Sequence, residues 1–248
     1  MIKFFRRIRQ KLLSENRFSA YLLYATGEIV LVVIGILLAL QINNWNLYRV
    51  DRIAEEKLLR NILQDLQKDK EVFDININNN YFHIAVLDTM LYEVSFDPAY
   101  AISDFLRHNM LYSYYGKFIA TKGTYLESLS SGRLSLILSD SLRRSILDYY
   151  EVQLLTLGPD NMIDNDMNKL RADWNDIVSH SMEYAMAFGT RTNFPKLNIP
   201  EISKNPDYRK LLTQKRGLVQ AQITEWNRVK AVNERLIKYM ENELESKN

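Results

Sequence analysis

Cysteine is absent from the 248 residues, and glycine and proline are scarce, at eight and five. Without thiols the chain has no disulfides, no thiolate metal site and no cysteine to carry a lipid. Thirteen turn-makers fall well below the about 12% share that an average composition supplies. So few turns exclude an all-β sandwich and a glycine-rich nucleotide-binding fold, and favour long helices. The three histidines, His83, His108 and His180, are too scattered for HxxxH or HExxH spacing. No P-loop, GxSxG or dinucleotide fingerprint occurs. What remains is an ordinary globular composition, 47% apolar and 25% charged.

The net charge of +2 hides an asymmetry. Residues 1–20 hold Lys3, Arg6, Arg7, Arg9, Lys11 and Arg17 against one acid, Glu15. The other 228 residues carry 26 bases and 29 acids, a net −3. That balance argues against a nucleic-acid partner. The positive charge sits directly before the most apolar stretch, residues 21–42, whose formal charge is Glu28 alone. As a helix that stretch is about 33 Å long, enough to cross a bilayer core. A buried core helix is the alternative, but residues 29–40 run without a polar break. A cleaved signal is another, but the residues after the run do not form a cleavage site. Tyr21 and Tyr24 before the run, and Trp45 and Tyr48 after it, fit interfacial aromatic belts. The charge bias places the N-terminus in the cytoplasm. Residues 2–13 are amphipathic: with Phe4, Phe5, Arg6 and Arg7 they are expected to lie on lipid, as is Trp45.

The strings KFFRRIRQKLL at 3–13, YLLYATGE at 21–28 and ILLALQINNWN at 36–46 carry a resemblance, as do KGTYLESLSSG at 122–132 and LDYY at 147–150. In these segments the chain resembles an uncharacterised family of single-span proteins common in Bacteroidota, a domain of unknown function. The resemblance implies an uncleaved bacterial envelope protein, expected in the inner membrane, and implies no mechanism.

Beyond the run, Leu47, Val50, Ala54, Leu58, Ile62 and Leu66 recur at three and four residues, predicting a helix that leaves the membrane and runs through Leu66, with Val94 as the alternative end. Asn76, Asn78, Asn79 and Asn80 are a candidate break. Further helices are expected over 102–111, after the capping-box pattern Thr124 to Glu127, after Ser139 or Asp140, over 160–187 and from Asn205-Pro206 to about 245. Gly132 should close the second of these and residues 188–205 should form a loop. The expected organisation is a basic amphipathic segment at 1–20, a transmembrane helix at 21–42 and an extracytoplasmic, periplasmic α-helical domain at 43–248. The fold class is all-α, a helical bundle with long first and last helices.

Chemistry is sparse. Asp160, Asp164 and Asp166 imitate a calcium loop but lack its glycine and distal glutamate. No catalytic residue, cofactor or metal is expected. Glu28, Gly35, Ala39 and Ile42 fall near one helical face, a polar and small-residue stripe of the kind used for helix contact in lipid; the alternative is that Glu28, about two turns deep, snorkels to the cytoplasmic surface. Tyr112, Tyr114, Tyr115, Phe118 and Tyr125 form an aromatic cluster that could meet a partner or a ligand, or pack inside the bundle. The function expected is a homo-oligomeric, non-catalytic envelope scaffold whose partners are lipid, itself and another envelope protein. A sensor-like ligand-binding module and an oligomeric pore with Glu28 near its cytoplasmic end are the alternatives.

Overall fold

The computed structural model describes residues 18–96, 108, 112, 116–157, 162–187 and 205–246, with backbone alone at 18, 20, 21, 24, 93–96 and 175–187. Among the described residues the structure is helical and contains no strand. Helix α1 spans Phe18–Phe96, α2 Gly123–Ser130, α3 Asp140–Asp148, α4 Met162–Ala187 and α5 Pro206–Glu245. A 3-10 turn, Arg133–Leu136, joins α2 to α3, and α3 continues into a π-turn at Tyr149–Gln153 and a 3-10 turn at Leu154–Leu157. The chain divides into two compact units, Met1–Glu56 and Lys57–Asn248.

In the first unit the described side chains lie on α1 and are almost all exposed. The most apolar eighteen residues have a mean hydropathy of 2.3 and none is buried. This stretch is a candidate membrane span by length and composition. Thr26 donates its hydroxyl to the Leu22 carbonyl at 2.9 Å, so even this polar group is satisfied inside the helix.

The second unit is built on apolar periodicity. Leu59, Ile62, Leu66 and Phe73 line the inner face of α1 and are fully buried. They join Ile137, Leu142 and Ile146 around α3, and Val219, Val229 and Met240 of α5, in one core. Helix α5 runs antiparallel to α1: Arg216 pairs with Asp88, Gln222 with Asn80, Lys230 with Asp74 and Lys70 with Glu234. Helix α4 packs along α5. Ser139 caps α3 by accepting from the Leu142 amide at 3.3 Å. Asn205 caps α5 by accepting from Asp207 at 2.9 Å, with Pro206 in the first turn. Gly132 takes the left-handed conformation (φ +73°) that ends α2.

Three expectations need correction. The asparagine cluster does not break α1, because Asn80 is buried and donates to Gln222 Oε1 at 2.8 Å. Leu47 and Val50, read as part of the core stripe, are 54% and 51% exposed. Helix α2 has no capping box: Glu127 pairs with Arg133, and Asp65 of α1 accepts from the Thr124 amide at 3.3 Å instead. The helix expected over 102–111 and the loop at 188–205 fall mostly outside the described residues.

Candidate functional site

Helical geometry sets Glu28, Gly35, Ala39 and Ile42 along one side of α1, about 10 Å per seven residues. Gly35, Ala39 and Ile42 are exposed and Glu28 is half-buried. A Cβ built on Gly35 meets nothing within 4 Å. The small residue is therefore not required by this chain's own packing. Trp45 is exposed. Phe4, Phe5, Arg6 and Arg7 lie outside the described residues.

The described members of the aromatic cluster pack inward. Tyr112 and Tyr125 are buried to within 2%. Tyr125 stacks on Tyr150 at 4.4 Å, and Tyr112 stacks on Trp174 at 3.7 Å. Phe118 is half-buried and lies 4.1 Å from Phe73, ring on ring. Tyr125 donates its hydroxyl to Glu151 at 2.7 Å, whereas the Tyr112 hydroxyl is buried without a hydrogen-bond partner among the described residues. Tyr114 and Tyr115 lie outside the described residues.

What the structure does bring together is a buried polar network. Asp69 of α1 accepts from the Tyr149 hydroxyl at 2.9 Å and from the Thr121 amide at 2.7 Å. Asn233 of α5 donates to the same Tyr149 oxygen and to the Leu66 carbonyl, both at 3.1 Å. One turn along, Asp65 caps α2. Further along α1, Gln222 of α5 accepts from Asn80 and donates to the Gly116 carbonyl at 3.1 Å. Gly116 is constrained by closeness: a Cβ there would stand 3.0 Å from the Trp226 ring. The segment 116–124 is thus tied to α1 and α5 by polar groups and by the Phe73–Phe118 stack. Asp65, Asp69 and Asn233 had a visible signal, since each occupies a core position of an otherwise apolar stripe.

Burial pushes the Asp69 carboxyl above its usual range, more than its two donors pull it down. An acid raised in the folded state contributes most stability below its unfolded value, here 3.8, and loses that contribution as pH rises through the folded value. The stability of the wild type relative to Asp69→Asn is therefore expected to be greatest near pH 4 and to decline toward pH 7. Urea unfolding of both proteins across that range checks the slope; a difference that grows with pH would contradict it.

A second buried group surrounds Lys215 of α5, which is 3% exposed. Its ammonium lies 5.5 Å from the Tyr112 ring centre, and Trp174 tilts against Tyr208 at 4.8 Å. Desolvation, helped by the charge of Arg171, lowers the amine to about 8. His83 is buried and lowered, by desolvation and by Lys215. This is a basic, aromatic part of the core.

Between α4 and α5 lies an open cleft of about 720 Å³. Leu170, Leu211 and Leu218 form its apolar lining, and Asp166, Lys169, Asp207 and Lys210 its charged rim. On the outer side of α1, Ile75, Phe82 and Tyr92 are 60%, 58% and 67% exposed. Among the described residues no three His, Asp or Glu side chains gather as a metal site.

A family model described as a family of unknown function (DUF6090) matches residues 28–213, three quarters of the chain. No curated protein and no solved structure matches.

Proposed function

We propose that this chain, which belongs to the DUF6090 family of unknown function, is a membrane-anchored, homo-oligomeric helical scaffold of the bacterial envelope. The observation that carries the reading is the uncovered apolar helix: Leu31, Leu38 and Ile42 are 74%, 58% and 65% exposed. Water would charge about 25 cal/mol for each Å² of that surface, and a bilayer removes the cost. The six bases before the span support a cytoplasmic N-terminus, an inner-membrane location and a periplasmic unit Lys57–Asn248. The close resemblance over 1–46 supports a source in Bacteroidota. Self-association through Glu28, Gly35, Ala39 and Ile42 is supported by the open face at Gly35, where two backbones can approach. The exposed Ile75, Phe82 and Tyr92 offer an apolar surface to an envelope partner.

Mass measurement of the full-length chain in a mild detergent tests the reading. The wild type is expected to run as one fixed oligomer. Gly35→Leu and Glu28→Leu are expected to weaken it on the order of tenfold or more, through lost close packing and lost polar contact in lipid. Because Gly35 has open space around it, the leucine costs the monomer nothing. A monomeric wild type would overturn self-association and leave the anchor standing.

A second reading, a sensor-like module, is favoured by the cleft between α4 and α5, whose apolar floor and mixed-charge rim suit a small zwitterion or peptide.

A further inference from the structure

Immediately after the apolar run, α1 carries two aromatic–arginine pairs at i, i+4 spacing. The Arg49 guanidinium lies 6.0 Å from the Trp45 ring centre, and that of Arg52 lies 5.1 Å from Tyr48. At about 100° per residue all four side chains fall within an arc of about 100°. Both rings are exposed, at 65% and 56%. Long helical side chains lean toward the N-terminus, so each guanidinium reaches back over the ring four residues before it, on the side of the apolar residues.

The two cations differ in what they already bind. Arg52 donates from Nη1 to Glu55 at 2.5 Å. Arg49 has no ion-pair partner among the described residues, and it stands a turn closer to the apolar run. The nearest acid, Asp51, is turned about 160° round the helix from Arg49, and Glu55 and Glu56 begin about 9 Å further along the axis. The cation nearest the apolar stretch is therefore uncompensated, exposed and laid over an indole.

We propose that Trp45 and Arg49, flanked by Tyr48 and Arg52, form a binding site for the phosphate of an anionic lipid headgroup, in the leaflet where residue 42 leaves the hydrocarbon. The proposal rests on the reading of α1 as a membrane span. Charge complementarity selects the occupant: a guanidinium presents paired donors to a phosphodiester, and the indole sits at headgroup depth beside it. A zwitterionic lipid brings its own ammonium and competes with Arg49. The face is turned by about 100° from the stripe of Glu28, Gly35, Ala39 and Ile42, so helix contact and lipid contact occupy different sides of α1.

The test uses the full-length chain in nanodiscs of mixed phosphatidylcholine and phosphatidylglycerol, with native mass spectrometry counting the lipids that stay bound. The wild type is expected to retain phosphatidylglycerol preferentially. Arg49→Gln is expected to cut that preference about fivefold, the effect of one arginine near an anionic surface, and Trp45→Leu to cut it as well. Lys57→Gln, which removes a cation outside the face, is expected to leave it unchanged. Inorganic phosphate at millimolar concentration is expected not to displace the bound lipid; displacement would mean a free-anion site and would overturn the proposal. Equal loss from Arg49→Gln and Lys57→Gln would reduce the effect to diffuse charge and overturn it too. A wild type that enters the nanodisc without lipid preference removes this inference and spares the anchor. A wild type that stays outside the nanodisc removes both.

Discussion

Replacing Asp69 by alanine is expected to lower the unfolding free energy by about 3 kcal/mol, the cost of leaving one buried and one part-buried donor without an acceptor. The donors are the Tyr149 hydroxyl and the Thr121 amide, at 2.9 and 2.7 Å. The Tyr149 hydroxyl has no water to turn to, since Asp69 and Tyr149 are fully buried, whereas the Thr121 amide is part-buried. Losing a carboxyl that burial already disfavours in its charged form returns part of the loss, which keeps the figure below the sum of two orphaned groups. Asp69→Asn keeps one acceptor oxygen and should lose less. Urea unfolding of the full-length chain in detergent micelles at pH 7 measures both. A change under about 1 kcal/mol in Asp69→Ala, the net worth of one ordinary hydrogen bond, would mean that the network does not hold segment 116–124.

Trp174→Ala carries the other large effect. Trp174 is 3% exposed, stacked on Tyr112 and tilted on Tyr208. Truncating a buried tryptophan costs about 3–5 kcal/mol, and the stacked pair adds to the loss. The melting temperature of a chain this size is expected to fall by roughly 10 °C. Trp174→Phe, which preserves a ring between the two tyrosines, should retain most of that. If thermal unfolding followed by circular dichroism shows equal melting for wild type and alanine variant, α4 does not depend on this aromatic stack for its attachment.

The fold was legible where one physical term dominates. Apolar spacing at Leu58, Ile62 and Leu66 located the inner face of α1, and Asn205-Pro206 marked the start of α5 by cap and fixed φ. Legibility failed where the partner lies far along the chain. Periodicity cannot say what covers an apolar face, so Leu47 and Val50 read like Leu58 although they are exposed. Asparagine disfavours a helix locally, but Asn80 is held in one by Gln222, 142 residues away. Glu127 has the spacing to reach back to its own helix start, yet Arg133 takes its carboxylate. In the candidate site, a Cβ on Gly35 would meet nothing within 4 Å, so the packing of this chain by itself neither requires nor opposes the helix contact that the pattern suggests. The aromatic cluster was recognisable as a cluster, but the sequence does not reveal that Trp174, Tyr150 and Phe73 close over it.

The cap of α2 bears on the order in which the chain acquires structure. Eight residues are too few to hold a helix alone in water, and this helix draws on a carboxylate fifty-nine positions earlier. The Thr124 amide can gain protection only after Asp65 is already in a helical turn and docked against it. In refolding, α2 is a passenger of α1: it orders when that surface arrives and exchanges its hydrogens whenever that surface departs.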